Sequence, residues 1–344
     1  MTATREIRSV ALGDVPAIPG LHARHFHDAS DYDRLSELTI AASLEDGIPY
    51  LPTAQNLQVE FDAADGADPV DDMVFVELDG RVVAAAGVER VIRDDVPNYQ
   101  IWGTVQPDVR RRGLGTALLG WNLARARVRA SREDPLVRVE LASFSEDSEV
   151  GQRALLANAG FESVRNFFLM RRQGLDHIPD APLPDGIEVR PVLEEQWRTI
   201  MAAENEAFRD HWGHREMGES DFKRTFGRAE LDTSLWVVAW DGDHVAGVVQ
   251  NWIWPEENER LGVKRGWLEH ISVRRPWRRR GLARAITAAS LVKYREVGLD
   301  EAMLGVDSEN PNGALGLYEG LGFGVASRAA AYRRRLTPDT GAPQ

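Results

Sequence analysis

A chain of 344 residues, 43% hydrophobic and 28% charged, is long enough for two domains with a core each. It has no cysteine, which excludes disulfides, thiol nucleophiles and thiolate-bound metals, and its formal charge of −13 excludes the positive field that nonspecific nucleic-acid binding needs. No apolar run is long enough to span a membrane.

Residues 1–20 read as a leading segment without the apolar core of a signal peptide, so the expectation is a cytoplasmic protein. Leu21–Phe26 is a first strand, and Asp28-Ala29-Ser30 caps a helix over Tyr32–Ser43. The polar stretch Asp46–Asp72 is irregular or partly helical. Asp72–Leu78, Asp79-Gly80 and Arg81–Val88 form a hairpin by the Asp-Gly signal. A strand over Asn98–Val105 leads into Arg110-Arg111-Arg112-Gly113-Leu114-Gly115. A helix over Thr116–Ala130, a strand over Val137–Ser143, a helix near Gln152–Ala159 and a strand over Phe167–Arg171 follow. Gln173–Gly186, with three prolines and little apolar periodicity, reads as a linker. The expected division is residues 1–172, a linker at 173–186, and residues 187–344.

The second half repeats this order. Ile187–Val192 is a strand, Glu194–Phe208 an amphipathic helix, and Trp236–Trp240 with His244–Trp252 a hairpin about Asp241-Gly242. The strand Trp267–Val273 precedes Arg274–Arg280 and an alanine-rich helix that begins at Gly281-Leu282-Ala283. Gly80 matches Gly242, Val105 matches Val273, Arg110 matches Arg278, Gly113 matches Gly281 and Phe161 matches Phe323. A spacing of about 165 residues is far too long for a solenoid, so this is a duplicated domain. Ten tryptophans, most of them beyond position 196, either fill cores or line a substrate cleft in the second half.

A strand, a basic glycine-containing turn and a helix N-terminus make an anion site. The first amides of a helix have no internal partner, the helix dipole is positive there, and Gly281 and Ala283 let a phosphate reach the backbone. Arg278-x-x-Gly281-x-Ala283 after Val273 resembles the acyl-CoA pyrophosphate loop of the GNAT superfamily of N-acetyltransferases. Asn310-Pro311-Asn312, then Leu317-Tyr318-Glu319-Gly320-Leu321-Gly322-Phe323, resembles the segment that ends most GNAT domains. The resemblance covers residues 21–172 and 187–336. It implies an α/β protein of two tandem mixed-sheet folds, the layout of members such as mycothiol synthase, in which one half commonly retains catalysis.

That resemblance further implies acetyl-CoA as acyl donor, held by Ile271, Ser272 and Val273 on the strand, by Arg278, Arg279, Arg280, Gly281, Leu282, Ala283 and Arg284 on the loop, and by Asn310. Tyr318 stands where the family's leaving-group tyrosine occurs. The strand base should share the parity of Val273. Glu269 does, whereas His270 has the opposite parity and is expected on the sheet's other face. In the first half, Val105, Arg110, Arg112, Gly113 and Gly115 keep the CoA loop. Ile101, Leu156 and Ser148 stand where Glu269, Tyr318 and Asn310 stand in the second, leaving Tyr99 as the only polar group of suitable parity. The first half is therefore expected to be structural, with CoA binding left open.

Asp210-His211-Trp212-Gly213-His214 falls where this fold builds its acceptor site, so Asp210, His211 and Trp212 are expected to bind substrate rather than a metal, since no further ligand pattern accompanies the two histidines. The expected partner is a small-molecule amine, and the chain a monomer or homodimer. Acetylation of a protein N-terminus or lysine, or acyl-CoA binding without catalysis, remain the other readings.

Overall fold

A computed structural model describes residues 7–13, 15, 18–62, 68–93, 96–134, 136–310 and 313–336. The chain divides into two compact units, one of Met1–Val164 with Ala330–Gln344, the other of Arg165–Ala329. The expected boundary at 173–186 therefore gives way to an exchange. Arg165–Arg172 belongs to the second unit, and the residues from Ala330 on belong to the first.

The first unit comprises β1 (Leu21–His25), α1 (Ser30–Asp46), α2 (Ala54–Asp62), α3 (Pro69–Asp72), β2 (Met73–Leu78), β3 (Arg81–Arg93), β4 (Val96–Val105), α4 (Leu114–Ala130), β5 (Glu140–Glu146), α5 (Val150–Asn158) and the start of β6 (Glu162–Gln173). Its strands are ordered β1-β2-β3-β4-β5, and the last residues of β12 (Gly324–Arg335) lie beside β5. Leu336 N donates to Val139 O at 3.0 Å, so this segment completes the first sheet. The hairpin between β2 and β3 forms because Asp79 and Gly80 both take positive φ, 51° and 81°, as a twist-matched two-residue turn requires. The polar stretch before it is more helical than its prolines and glycines suggest, holding both α2 and α3.

The second unit takes β7 (Ile187–Arg190), α6 (Trp197–Phe208), α7 (Glu219–Phe226), β8 (Val237–Asp241), β9 (His244–Trp252), α8 (Pro255–Leu261), β10 (Arg265–Val273), α9 (Leu282–Glu296), β11 (Glu301–Asp307) and α10 (Ala314–Glu319), with the main part of β6 and the start of β12. The order is β7-β8-β9-β10-β11-β6-β12. Residues Phe167–Gln173 of β6 pair antiparallel along the whole of β11, from Asp307 to Glu301. That ladder ties the strand to the second sheet, and a period-2 pattern carries no information about which sheet a strand joins. Apolar clusters cover both faces of this sheet. Leu268, Ile286, Leu291, Leu304 and Tyr318 lie on the α9 and α10 face, and Ile200, Ala203, Trp236, Val248 and Trp252 on the α6 face.

One exchange of bulk between the units shows how tightly each core is filled. On the second rung of the parallel ladder Tyr99 stands opposite Leu141 in the first unit, and Gly266 opposite Ala302 in the second. Tyr99 is buried and donates to Glu133 Oε1 at 2.8 Å, which with burial pushes its phenol up to about 12. It is a core residue, and no longer a candidate base. At Gly266 the space is filled from α9 by Tyr294, whose hydroxyl donates to Trp267 O at 2.6 Å. A Cβ added at Gly266 would lie 2.4 Å from that ring. Gly266→Ala should therefore destabilise the protein by about 1–3 kcal/mol, the usual cost of overpacking. Chemical denaturation measures it, and an unchanged midpoint would mean that the ring yields freely.

Candidate functional site

The site grows from β10. This strand pairs with β11 only through Arg265, Gly266 and Trp267, and beyond them the two strands part. Ile271, Ser272 and Val273 stay paired on their other side, with Val249, Val248 and Gly247 of β9. Between Leu268 and Ile271 the register shifts by a β-bulge that contains Glu269 and His270. A bulge adds a residue to one strand and re-aims the side chains around it. Leu268 and Val273, an odd number of residues apart, accordingly face the same α9 cluster.

The parity expectation for Glu269 and His270 therefore fails in part. Glu269 lies within the bulge, so strand parity no longer ties it to the face of Val273. His270 is on the face opposite Val273, as expected, its ring packing edge-on against Phe208 of α6, centroids 5.4 Å apart, on the face where Trp267 also packs. Its Nδ1 lies 3.5 Å from Glu204 Oε1. Glu204 is only 1% exposed, and its second oxygen accepts a hydrogen bond from Gln250 Nε2 at 2.7 Å.

Glu269 and the His270 side chain are reached by solvent yet crowded by protein, as groups lining a recess are. Crowding desolvates the Glu269 carboxyl and pushes its pKa up, against the pull of His270 and Arg228. Desolvation works downward on the imidazole of His270, but Glu204 first, then Glu269 and Asp221, more than offset it and push it up. Arg228 stacks over Trp254, 5.6 Å from the ring centroid, and Trp254 lies parallel to Trp252 at 5.3 Å. Trp267 Nε1 donates to Glu257 at 2.9 Å. Trp236 and Trp240 are core, as one reading of the tryptophans expects, while Trp254 and Trp267 are only partly buried.

The loop after β10 turns through Arg275–Trp277 into α9. Arg279 takes φ 62° and Gly281 φ 83°, the left-handed region. A non-glycine residue there is uncommon, and Arg111 at φ 64° with Gly113 at φ 86° repeats it in the first unit. The first backbone bond of α9 runs from Ala285 N to Gly281 O, at 3.1 Å. The amides from Arg279 to Arg284 have no backbone partner among the described residues, an arrangement at the positive end of the helix that can accept an anion. Arg279 and Arg280 are exposed around it.

Arg278, expected among the loop ligands, is engaged within the loop itself. Its Nε donates to Val273 O at 2.9 Å, one Nη to Asp210 at 2.7 Å, the other to Ala207 O at 2.9 Å, and its own amide is bonded to Arg275 O. Three of its five side-chain N–H groups are thus spent on shaping the loop. Arg110 does the same in the first unit, toward Val105 O and Asp46. Asp210 is held by both Arg275 and Arg278, which keep its carboxyl far below the usual range, so it anchors the loop. His211 packs against Phe208, and burial lowers its imidazole. Trp212 lies beside Phe167 and under Arg165.

Tyr318 sits on α10, 7% exposed, edge-on to Phe323 with centroids 6.1 Å apart. Burial pushes its phenol well up, so it stays protonated at neutral pH. Its hydroxyl has no hydrogen bond among the described residues. Asn310 follows β11, its amide bonded to Asp307 O at 3.1 Å, and Pro311 and Asn312 lie outside the described residues.

In the first unit Trp102 stands opposite Gly87 with no bulge in the ladder. Ile101 is then the partner of Leu268, both fully buried, and Trp102 occupies the place of the bulge. A Cβ at Gly87 would fall 2.5 Å from its indole, which also packs on Phe61. Leu156, the counterpart of Tyr318, is core, and a Cβ added at Gly115 would fall 3.0 Å from Leu155 of α5. Among the described residues no group of three His, Asp or Glu converges as a metal site requires.

A mixed sheet that splays beside an amide-lined helix start, formed twice in one chain, is the architecture of a tandem acetyltransferase. The profile of the acetyltransferase (GNAT) family matches residues 197–323. A mycothiol acetyltransferase of Salinispora arenicola is 30% identical over 292 residues, 79% of this chain and 89% of its own length. The chain belongs to the GNAT family of acetyltransferases, whose fold uses acetyl-CoA as acyl donor. Among solved structures, a GCN5-related N-acetyltransferase from Sphaerobacter thermophilus has a TM-score of 0.71 at 26% identity, over 93% of this chain and 96% of that one. A tandem GNAT protein from the clavulanic acid biosynthesis pathway shares the fold, with a TM-score of 0.60 at 16% identity, over 97% of this chain and 99% of that one.

Proposed function

We propose that the second unit transfers the acetyl group of acetyl-CoA to a primary amine of a small molecule, by direct attack of the amine on the thioester. The observation that carries this reading is the bulge at Glu269-His270 beside the parted strands, which the first unit replaces with Trp102. The amides from Arg279 to Arg284 suit a pyrophosphate, and Arg279, Arg280 and Arg284 supply positive charge. The free edge of Ile271, Ser272 and Val273 suits an amide-bearing arm, with Asn310 across from it. Holding both reactants in one cleft removes translational entropy from the attack, and a backbone N–H on β10 serves the developing oxyanion. Glu269 takes the ammonium proton, and Tyr318 donates to the departing thiolate. His211 and Trp212 contribute to the acceptor side, and the first unit serves as a scaffold.

The curated relatives are named mycothiol acetyltransferases, which supports a small-molecule acceptor. The test is CoA release from acetyl-CoA over a panel of amines (glucosamine, ethanolamine, putrescine, lysine) and a peptide N-terminus. A small amine should turn over fastest, and turnover of the peptide alone would overturn this reading. With the best acceptor, Tyr318→Phe should lower kcat by about tenfold or more with little change in acetyl-CoA affinity, because the lost hydroxyl acts on the leaving group. Full kcat in the variant would make the tyrosine a packing residue.

A further inference from the structure

Glu204, Gln250 and His270 come from three elements, α6, β9 and β10, and meet where packing does not require them. The first unit shows what packing alone would place there. Asp46 and Asp210 play the same part, each clamping the loop arginine, Arg110 or Arg278. Counting back from these anchors sets Ile40 at the position of Glu204, and both are buried. Gly87 corresponds to Gln250, and Trp102 to the bulge. An apolar group thus fills in one unit what a carboxylate, an amide and an imidazole fill in the other. A carboxylate that is 1% exposed is costly unless its charge is compensated. Gln250 satisfies one oxygen, and the other faces His270 Nδ1 at 3.5 Å without an aligned hydrogen bond. With Nδ1 toward Glu204 and the side chain 41% exposed, the second ring nitrogen is left to the recess.

Proton stoichiometry assigns a use to this pair, given the amine acetylation proposed above. A nitrogen that enters as an ammonium and leaves as a secondary amide sheds two protons. The first must go before attack, because the lone pair is the nucleophile. The second becomes acidic only after the N–C bond has formed and the nitrogen carries positive charge. A single carboxylate holds one proton, and the tyrosine gives a proton instead of taking one. We propose that His270, held and charge-compensated by Glu204, is the second proton acceptor of the reaction. Glu269 takes the proton of the ammonium, the amine bonds to the acetyl carbon, and the carbonyl electron pair moves to oxygen. The second ring nitrogen of His270 then takes the proton of the new N–C adduct as the C–S bond breaks and Tyr318 protonates the sulfur. Glu269 and His270 discharge to solvent, one of those protons restores Tyr318, and one proton is released per turnover.

The groups facing His270 are Glu204 on α6, Asp221 on α7 and Glu269 beside it on β10, with Arg228 and Glu257 acting on Glu269. All of the acidic ones favour the imidazolium, and Glu204 leads them. Replacing Glu204 by the isosteric glutamine removes the leading support and leaves desolvation less opposed, so the imidazole should titrate at lower pH. That shift is read directly by imidazole NMR, comparing wild type, His270→Gln (to assign the signal) and Glu204→Gln. An imidazole whose titration ignores Glu204→Gln would overturn the pairing.

The kinetic arm uses CoA release from acetyl-CoA with the four small amines named above, between pH 6 and 9. Both Glu269→Gln and His270→Gln should lose about tenfold or more. Only Glu269→Gln should recover as pH rises, because bulk solvent supplies free amine beforehand, whereas the adduct's proton must be taken within the short life of the adduct by a group already in place. His270→Gln should keep the acetyl-CoA thermal shift of wild type, which excludes misfolding as the cause. A full rate in His270→Gln, or recovery with pH parallel to that of Glu269→Gln, would overturn the assignment. If wild type acetylates none of the amines, the amine reading fails, while the NMR titration still decides whether the pair exists.

Discussion

Glu269→Gln should lower kcat/KM for the amine acceptor by at least about tenfold at pH 7, since loss of a positioned base commonly costs about 10²–10⁴. The sign of its pH dependence follows from the site. Crowding in the recess raises the pKa of this carboxyl, so it stays protonated to a higher pH than an exposed glutamate. The wild-type rate should therefore fall as pH drops through that raised value, and level off above it. The same elevation brings the carboxylate closer in basicity to the ammonium it must deprotonate, which an ordinary glutamate near ~4.3 serves poorly. In the glutamine variant that limb disappears, and the rate climbs with pH as free amine accumulates in solvent. Rates measured from pH 6 to 9 decide the matter. A variant that matches wild type throughout would return Glu269 to the status of an ordinary strand carboxylate.

Gly281→Val should abolish most of the thermal stabilisation that acetyl-CoA confers, while Gly113→Val should leave most of it. A ligand that binds only the folded state adds about 2.7 kcal/mol at a hundred times its Kd, a shift of several degrees in melting temperature. Gly281 sits at φ 83°, where a β-branched side chain is strained, and its missing Cβ leaves the approach to the amides of α9 open. Valine there costs about 1–2 kcal/mol of strain in the unliganded protein. The informative quantity is thus the increment on adding acetyl-CoA, read against each variant's own baseline. Gly113 has the same backbone role, at φ 86°, so its variant controls for strain. If Gly113→Val removes the increment and Gly281→Val does not, the acyl donor belongs to the first unit.

Local chemistry carried much of this protein into view from sequence. Asp79-Gly80 makes a hairpin because both residues accept positive φ, a property of the dipeptide itself. The two arginine-glycine loops were legible because an anion site at a helix start needs a small residue in a fixed position, and that requirement is written in neighbouring residues. Duplication was legible for the same reason, since five markers recur in one order. Tyr318 was legible through the residues that follow it, although sequence alone could not say that it would be buried.

The positions that only the tertiary structure decided are those whose partners lie far along the chain. Whether Arg165–Gln173 joins one sheet or the other depends on the free edge of β11, more than a hundred residues away, to which an alternating pattern is blind. Arg278 reads as a phosphate ligand in sequence, and only the structure shows three of its five side-chain N–H groups going to Asp210 and two carbonyls, because α6 ends beside the loop. The parity of β10 breaks at Glu269 because a bulge is set by the pairing of two strands, and one extra residue reverses every face beyond it. That single residue carries Glu269 and His270 into the recess and brings His270 to Glu204, a contact between residues 66 positions apart that no local pattern announces.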